Sequence, residues 1–410
     1  MSRRLEGFFW KFLLVAALAQ GGNALAGQCI APLAPLIQPE LGLSKVEIGF
    51  FSSAYFIGSW FLLLVGGSLI DRFGIRKMVA AGQIFIGLCL LLMPLAITFP
   101  WAVMVMIVAG LGGGVVMPGS TKVISEWFSA SARGTAMGLK QSTVPGAGVL
   151  AASTLPLLAL AAGWRSAIVV VGIVIAAGGL VTLLLYRDAP RPAQSGEQGP
   201  RLREGLARIL RNSRVWWVSI VALLFATAQV AVIGYLALYF AEVVLAPSIP
   251  DQAGRVVVAG GYLALCQVGG VFGRVFWGWF SDRYFRGQRM AVMAGIGALA
   301  AVISVLMSLL GPASAAWFLA IVVFLYGLSA IGWNGLQYVL IIEAVDQRYA
   351  ATGVGLSMTL TNLGVVVGAP LFGYVAETTG SYQYAWLYLG CLSAATCLIA
   401  AVSARRGKAW

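Results

Sequence analysis

The chain carries the charged stretch GSLIDRFGIRK at residues 67–77 and a degenerate copy of it, GRVFWGWFSDR, at residues 273–283. Both stretches lie between two long apolar runs, and in both an Asp-Arg pair closes the first of those runs. A second repeat supports the duplication, because RGTAMGL at 133–139 is echoed by Arg348 and then GVGL at 353–356. The repetition indicates that the chain consists of two homologous halves.

The composition is typical of a chain that lies mostly in lipid. Of the 410 residues, 60% are apolar and only 10% are charged, with a formal net charge of +13 and no histidine. A soluble domain has about a quarter of its residues charged. A helix that crosses a bilayer needs about 20 apolar residues, so twelve spans use roughly 240. The remaining residues suffice for short loops and helix ends.

Apolar runs separated by short polar clusters predict twelve transmembrane helices. The first run follows Arg3 and Arg4 and precedes Ala24-Leu25-Ala26, as in a signal peptide. We reject that interpretation, because cleavage would leave the first half one helix short of the second. The predicted spans are 12–37, 46–70, 78–98, 101–127, 134–160, 165–186, 215–245, 255–280, 290–310, 314–345, 350–377 and 383–404.

Lysine and arginine in the loops predict the orientation. They concentrate on one face, with seven arginines in 187–214, whereas the opposite loops carry only Lys45, Arg165 and Arg255. The positive-inside rule therefore places both termini and this linker in the cytoplasm, and we expect the bacterial inner membrane. The predicted domains are six-helix bundles at 1–186 and 215–410, joined by the linker 187–214. The basic charge is explained by topology, so we expect no nucleic-acid partner.

Several classes of site are excluded by the residues present. The five cysteines form no C-x-x-C pair, and histidine is absent, so a zinc site and a histidine-based catalytic triad are not expected. The chain has neither a phosphate-binding G-x-x-x-x-G-K loop nor a nucleophile elbow. We therefore expect no cofactor, no metal and no enzymatic activity. A sensor without transport activity is an alternative of another class.

The stretch at 67–77, its copy at 273–283 and the twelve-span pattern resemble the signature loops of the major facilitator superfamily of secondary transporters. The resemblance implies an all-α membrane protein of two pseudo-symmetric six-helix bundles that works by alternating access. It also implies that these loops form a conformational latch; the alternative is that their charges only mark topology. In the latch, a glycine permits close helix approach and arginines meet helix carbonyls or Glu126. The latch residues are Gly67, Asp71, Arg72, Arg76, Glu126, Asp282 and Arg283.

Two charged side chains are predicted to lie deep in the bilayer. Arg274 precedes Asp282 by eight residues, about 12 Å of helix, and Lys140 follows Arg133 by seven, about 10 Å. Both are positive, and the fourteen acidic residues fall near predicted helix ends or in loops. Such a pair predicts a small organic anion, a mono- or dicarboxylate, as substrate. Alternatively, Lys140 extends to the interface and Arg274 pairs with carbonyls or Gln267.

Arg274, eight residues before Ser281-Asp282, is similar to the substrate arginine of oxalate/formate antiporters and monocarboxylate transporters. The chain departs from these families at Gly270, where monocarboxylate carriers have an aspartate, and at Ser357 to Thr359, where oxalate carriers have a lysine. The resemblance implies that the fifth and eighth spans approach each other, which would pair Lys140 with Arg274.

Uncharged polar side chains within the spans complete the predicted site. Gln20 and Asn23 share one face of the first span, and Gln267 and Arg274 share one face of the eighth. Glycines beside Trp333-Asn334 predict a bend of the tenth span that exposes its backbone, with core packing as the alternative. Each polar group is alternatively an interhelical hydrogen bond. The substrate-binding candidates are Arg274, Lys140, Gln20, Asn23, Gln229, Tyr235, Gln267, Asn334, Gln337 and Asn362.

The residues together predict a transporter with proton-coupled uptake of a small organic anion. Without histidine, the proton would travel with the substrate or on another group. The alternatives are an anion exchanger, which takes a counter-transported anion instead of protons, and an exporter of drugs or metabolites. A monomer is sufficient, since one chain contains both halves, and the expected partners are the anion, the coupling ion and the lipid bilayer.

Overall fold

The computed structural model describes residues 3–128, 130–188, 208–285, 288–345 and 350–406. In these ranges the chain has twelve helical segments that are long and apolar enough to cross a membrane, which confirms the predicted all-α membrane fold. Linker residues 189–207 and the basic residues Arg286, Arg348 and Lys408 lie outside the described residues.

Two of the twelve spans are built from more than one helix. The first span contains α1, a short 3₁₀ turn and α2, and the tenth contains α11, a π-helical turn and α12. The helices are α1 (Arg3–Gln28), α2 (Ala34–Leu41), α3 (Lys45–Phe73), α4 (Ile75–Leu91), α5 (Phe99–Trp127), α6 (Ala130–Ala162), α7 (Trp164–Leu185), α8 (Ser213–Tyr239), α9 (Gln252–Tyr284), α10 (Arg289–Leu309), α11 (Ala316–Tyr326), α12 (Asn334–Ala344), α13 (Ala350–Thr378) and α14 (Tyr382–Arg406).

Local sequence sets both ends of α3. At its start Ser44 and Glu47 form a capping box, in which the Ser44 hydroxyl accepts from the Glu47 amide at 3.2 Å and the Glu47 carboxylate accepts from the Ser44 amide at 2.8 Å. At its end Gly74 adopts φ +88°, which only glycine tolerates readily, and joins α3 directly to α4. The signature stretch 67–77 therefore consists of the last turns of α3, a tight junction at Gly74 and the start of α4.

The chain divides into two compact units. Unit 1 comprises Met1–Pro190 and Ile233–Ala264, and unit 2 comprises Arg191–Val232 and Leu265–Trp410. Unit 1 thus contains α1 to α7 with the adjoining ends of α8 and α9, and unit 2 contains the rest. The predicted domain boundaries at residues 186 and 215 stay a prediction.

Close backbone contact between α3 and α5 organises unit 1. A Cβ added at Gly66 would lie 2.4 Å from the carbonyl oxygen of Gly114, so only a glycine permits this approach. No heavy atom of the described residues lies within 4 Å of a Cβ added at Gly67. The prediction that Gly67 provides the close helix contact is wrong in this conformation, because Gly66 is the residue that faces α5.

Unit 2 has an apolar core formed by α8, α9, α10 and α12. Phe225 of α8 stacks on Trp333 with ring centroids 5.2 Å apart, and Trp333 is fully buried. The span that contains Trp333 is interrupted, because a π-helical turn at Gly327–Ile331 ends α11 and α12 begins only at Asn334. The span is thus interrupted at the place where a bend was predicted, and π-helical turns are frequent at functional sites.

Candidate functional site

Lys140 is a buried cation in unit 1. It lies on α6 with 1% of its surface exposed, and its ammonium donates a 2.6 Å hydrogen bond to the Thr121 hydroxyl of α5. Among the described residues no carboxylate lies within 4.0 Å of this ammonium. The predicted alternative, in which Lys140 extends to the membrane interface, does not describe this conformation.

Gln20 and Asn23 of α1 both accept hydrogen bonds from other helices of unit 1. The Ser120 hydroxyl lies 3.0 Å from Gln20 Oε1, and the Tyr55 hydroxyl donates to Asn23 Oδ1 at 2.7 Å. All four side chains are more than nine-tenths buried. We call Lys140, Thr121, Ser120, Gln20, Asn23 and Tyr55 the polar row. It joins α1, α3, α5 and α6 of unit 1.

Sequence reasoning missed three members of the polar row. Ser120 and Thr121 are adjacent hydroxyl residues that follow a long apolar stretch of α5, a signal that could have drawn attention to them. Nothing in the sequence around Tyr55 distinguishes it from an ordinary core aromatic residue. The hydrogen bond between Tyr55 and Asn23 lies against Gly113, where an added Cβ would be 2.6 Å from both Asn23 Oδ1 and Tyr55 Oη. The glycine leaves space for that hydrogen bond.

In unit 2, Arg274 of α9 is partly buried and lies beside α12. The phenol of Tyr338 interacts electrostatically with its guanidinium. A Cβ added at Gly335 would lie 3.4 Å from the Arg274 carbonyl oxygen, so α9 and α12 are in close contact at this level. Tyr338 was not predicted as a site residue, because only the packing of α12 on α9 reveals it.

Three of the other predicted polar residues of unit 2, Gln229, Asn334 and Gln337, form interhelical hydrogen bonds near the start of α12. Asn334 donates to Gln229 Oε1 of α8 at 3.0 Å, and Gln337 donates to the hydroxyls of Ser357 and Thr361 of α13 at 2.9 and 2.8 Å. Asn334 and Gln337 therefore serve as interhelical contacts in this conformation. Gln267 on α9 is 1% exposed, and Asn362 is partly buried on α13.

Tyr235 lies in unit 1, at a different place from the polar row. Its hydroxyl donates to the backbone carbonyl of Lys45 in the first turn of α3, and the side chain is fully buried. The contact connects α8 to the start of α3. Its predicted role in substrate binding stays a prediction.

The predicted latch residues of unit 1 make three separate kinds of contact. Asp71 is ion-paired with Lys122 of α5, and the Lys122 ammonium also lies 3.9 Å from Glu126. Arg76 donates to the Leu183 carbonyl oxygen at 2.7 Å, as expected for an arginine at a helix C-terminus. Arg72 instead lies over the Phe73 ring at 5.2 Å. Lys122 was missed, although its position four residues before Glu126 marks it as a partner.

A corresponding group is present in unit 2. Arg289, at the start of α10, donates to Asp282 at 2.8 Å and to Glu343 at 2.6 Å. Each unit thus has one cation between two carboxylates, Asp71–Lys122–Glu126 and Asp282–Arg289–Glu343, and we call these groups the charge triplets. Arg283, which was predicted to be part of the latch, is exposed. Arg289 supplies the cation of this group instead of Arg283.

A search against known families matches residues 16–369 to the Major Facilitator Superfamily. The chain belongs to this superfamily. It is 25% identical over 383 residues to the probable sulfoacetate transporter of Cupriavidus necator, with 88% of this chain and 86% of that protein covered. It is 22% identical over 396 residues to the hexuronate transporter of Bacillus subtilis, covering 93% and 90%.

Solved structures bear out the fold. The crystal structure of the nucleoside transporter NupG superposes with a TM-score of 0.75, at 15% identity, over 96% of this chain and 98% of that one. The protein is therefore a multi-pass membrane transporter with the major facilitator fold of two pseudo-symmetric six-helix bundles. The narrower resemblance to oxalate/formate and monocarboxylate carriers stays a prediction.

Proposed function

We propose that this protein is a secondary active transporter that moves a small organic anion, a mono- or dicarboxylate, by alternating access. The observation that carries the proposal is the burial of Lys140 against a neutral hydroxyl. A buried charge is costly unless it is paired, and an ionisable residue within a membrane span is by default a functional group. An anionic substrate supplies the missing charge.

Arg274 is the second cationic group of the proposed site. A guanidinium binds a carboxylate through two parallel hydrogen bonds, whereas an ammonium acts as a compact point charge. We propose that Arg274, like Lys140, binds an acidic group of the transported anion.

The names of the relatives support an anionic substrate. Sulfoacetate and hexuronate are both organic acids that are ionised at neutral pH, and the chain is aligned with the two transporters over 88% and 93% of its length. At 22 to 25% identity, neither substrate transfers to this protein. The shared chemistry, a small organic anion, is what we carry over.

We further propose uptake across a bacterial inner membrane, with both termini in the cytoplasm and with protons as the coupling ion. Exchange against a second anion is the alternative that a specific observation favours. Five carboxylates, those of Glu40, Asp71, Glu126, Asp282 and Glu343, are already ion-paired and are poor candidates for a free proton site. An exchanger needs no such site. We propose a monomer as the transporting unit.

The test combines binding and flux on the purified full-length protein. Carboxylates that bind raise the melting temperature in detergent, and flux of the same acids is measured in proteoliposomes with and without a pH gradient. We expect Lys140→Gln and Arg274→Gln to lose both signals, while Lys77→Gln, which removes an exposed lysine, keeps them. Stabilisation by neutral or cationic compounds alone, unchanged in both variants, would favour an exporter instead.

A further inference from the structure

The hydrogen bonds within the polar row leave it with donors to offer and few acceptors. Asn23 Oδ1 accepts from Tyr55 at 2.7 Å. The Ser120 hydroxyl, which has one proton, lies 3.0 Å from Gln20 Oε1 and 2.9 Å from the Met117 carbonyl oxygen. The Thr121 oxygen accepts from Lys140, while its own proton points to the Met117 carbonyl oxygen at 3.2 Å. The acceptor atoms of Asn23 and of this threonine are therefore engaged by the protein.

The groups that remain are N–H donors. Each amide NH₂ carries two donors, and an ammonium carries three, of which Thr121 takes one. In the described part of the chain, no acceptor is hydrogen-bonded to the NH₂ groups of Gln20 and Asn23 or to the rest of the Lys140 ammonium. A ligand of this row must supply acceptor atoms.

Helix geometry gives the spacing of these side chains along α5 and α1. Thr121 and Ser120 are neighbours on α5, so the groups they bond, Lys140 and Gln20, lie at one end of the row. Gly113, which contacts Asn23 and Tyr55, precedes Ser120 by seven residues, about 10 Å along α5. Gln20 and Asn23 are three residues apart on α1, about 4.5 Å. The two amides therefore lie within one turn of α1, and Gln20 is the one at the Lys140 end of the row.

We propose that the transported anion is an oxygen-substituted organic acid, with its acidic group at Lys140 and a hydroxyl, keto or second acidic oxygen at the amides of Gln20 and Asn23. This inference rests on the proposed function and narrows its substrate class. An acid with a plain hydrocarbon chain would offer no acceptor to either NH₂ group. A site built to hydrogen-bond a substrate oxygen discriminates strongly against the analogue that lacks it.

The test compares matched acids that differ only in their hydroxyl groups. Glycolate is paired with acetate, lactate with propionate and gluconate with hexanoate, and the affinity of each acid for the purified full-length protein is measured by calorimetry. For each pair in which either acid binds, we expect the oxygenated member to bind at least about tenfold more tightly, since one hydrogen bond contributes about that factor.

A variant locates the effect at Asn23. Asn23→Leu is combined with Tyr55→Phe, so that no buried hydroxyl loses its acceptor. We expect about tenfold weaker binding of the oxygenated acid and a change of less than about threefold for the plain acid. Gln83→Leu is the control, because Gln83 is another fully buried amide of unit 1, bonded to Thr182 at 2.9 Å and outside the polar row.

Two results overturn the inference while the transporter proposal stands. One is equal affinity for both members of the pairs in the unmodified protein, and the other is an equal loss for both members in the double variant. If no carboxylate binds the unmodified protein at all, the proposed function is wrong and the inference is wrong with it.

Discussion

At the scale of single residues, the contact between Lys140 and Thr121 carries most of the functional argument. The Thr121 hydroxyl directs its proton to the Met117 carbonyl oxygen, so its lone pair faces the ammonium 2.6 Å away. One donor of Lys140 is thus fixed by the protein, which sets the direction of the other two. Thr121 is therefore a positioning residue of the proposed site.

Replacing Thr121 with valine tests this role. Thr121→Val keeps the shape of the side chain but removes the acceptor, and we expect the KM for the transported anion to rise about tenfold with little change in kcat. Thr121→Ser restores the hydroxyl and is expected to restore KM. Thr378→Val is the control, because Thr378 makes the same bond to the carbonyl four residues earlier, at 2.7 Å, on an exposed surface. A valine variant with the affinity of the unmodified protein would contradict the assignment.

At the scale of helices, the contact of α3 with α5 depends on which glycine faces the partner helix. Gly66 and Gly67 are neighbours, yet a Cβ at Gly66 meets the Gly114 carbonyl oxygen at 2.4 Å and a Cβ at Gly67 meets no heavy atom of the described residues within 4 Å. Real Cβ atoms do not approach a carbonyl oxygen so closely, so the two helices must separate to accept alanine at Gly66.

Alanine substitutions at these two positions should have opposite effects. We expect Gly66→Ala to lower the melting temperature in detergent by several degrees, since overpacking costs about 1–3 kcal/mol. Gly67→Ala should leave the melting temperature unchanged or slightly higher, because alanine is the better helix former. Equal effects of the two substitutions would show that α3 does not meet α5 through Gly66.

At the scale of the whole molecule, the charge triplets repeat the same arrangement in each unit. Lys122 lies between Asp71 and Glu126 in unit 1, and Arg289 lies between Asp282 and Glu343 in unit 2. Each triplet includes the aspartate of one signature stretch and a glutamate from the span two positions further along the chain. Their carboxylates are partly exposed, so we expect a small effect on stability and a larger one on conformational exchange.

Neutralising the central cation tests this expectation. Lys122→Gln and Arg289→Gln leave two carboxylates close together without a counter-ion. We expect a severalfold lower maximal transport rate in proteoliposomes with KM nearly unchanged, because both triplets lie near helix ends and outside the polar row. Lys77→Gln changes an exposed residue of the signature stretch that contains Asp71, and this variant should keep the full rate. A changed KM with a normal rate would place the triplets in substrate binding.

The number of spans, the two-bundle fold and the place of Lys140 within a span follow from the sequence alone. These features could be predicted because each span must satisfy its own backbone hydrogen bonds and expose apolar side chains to lipid, so the run of residues defines it locally. A bend at Trp333-Asn334 was predictable for a similar reason, since glycines flank it.

Only the tertiary structure decided the partners of the functional side chains. Thr121, Tyr55 and Tyr338 become site residues, Lys122 and Arg289 complete the charge triplets, and Gly66 rather than Gly67 faces α5. Each of these facts depends on the rotation and register of helices that are distant in the chain. Hydrophobicity places a helix in the membrane but leaves its rotation open, and close packing between helices then fixes which side chains meet.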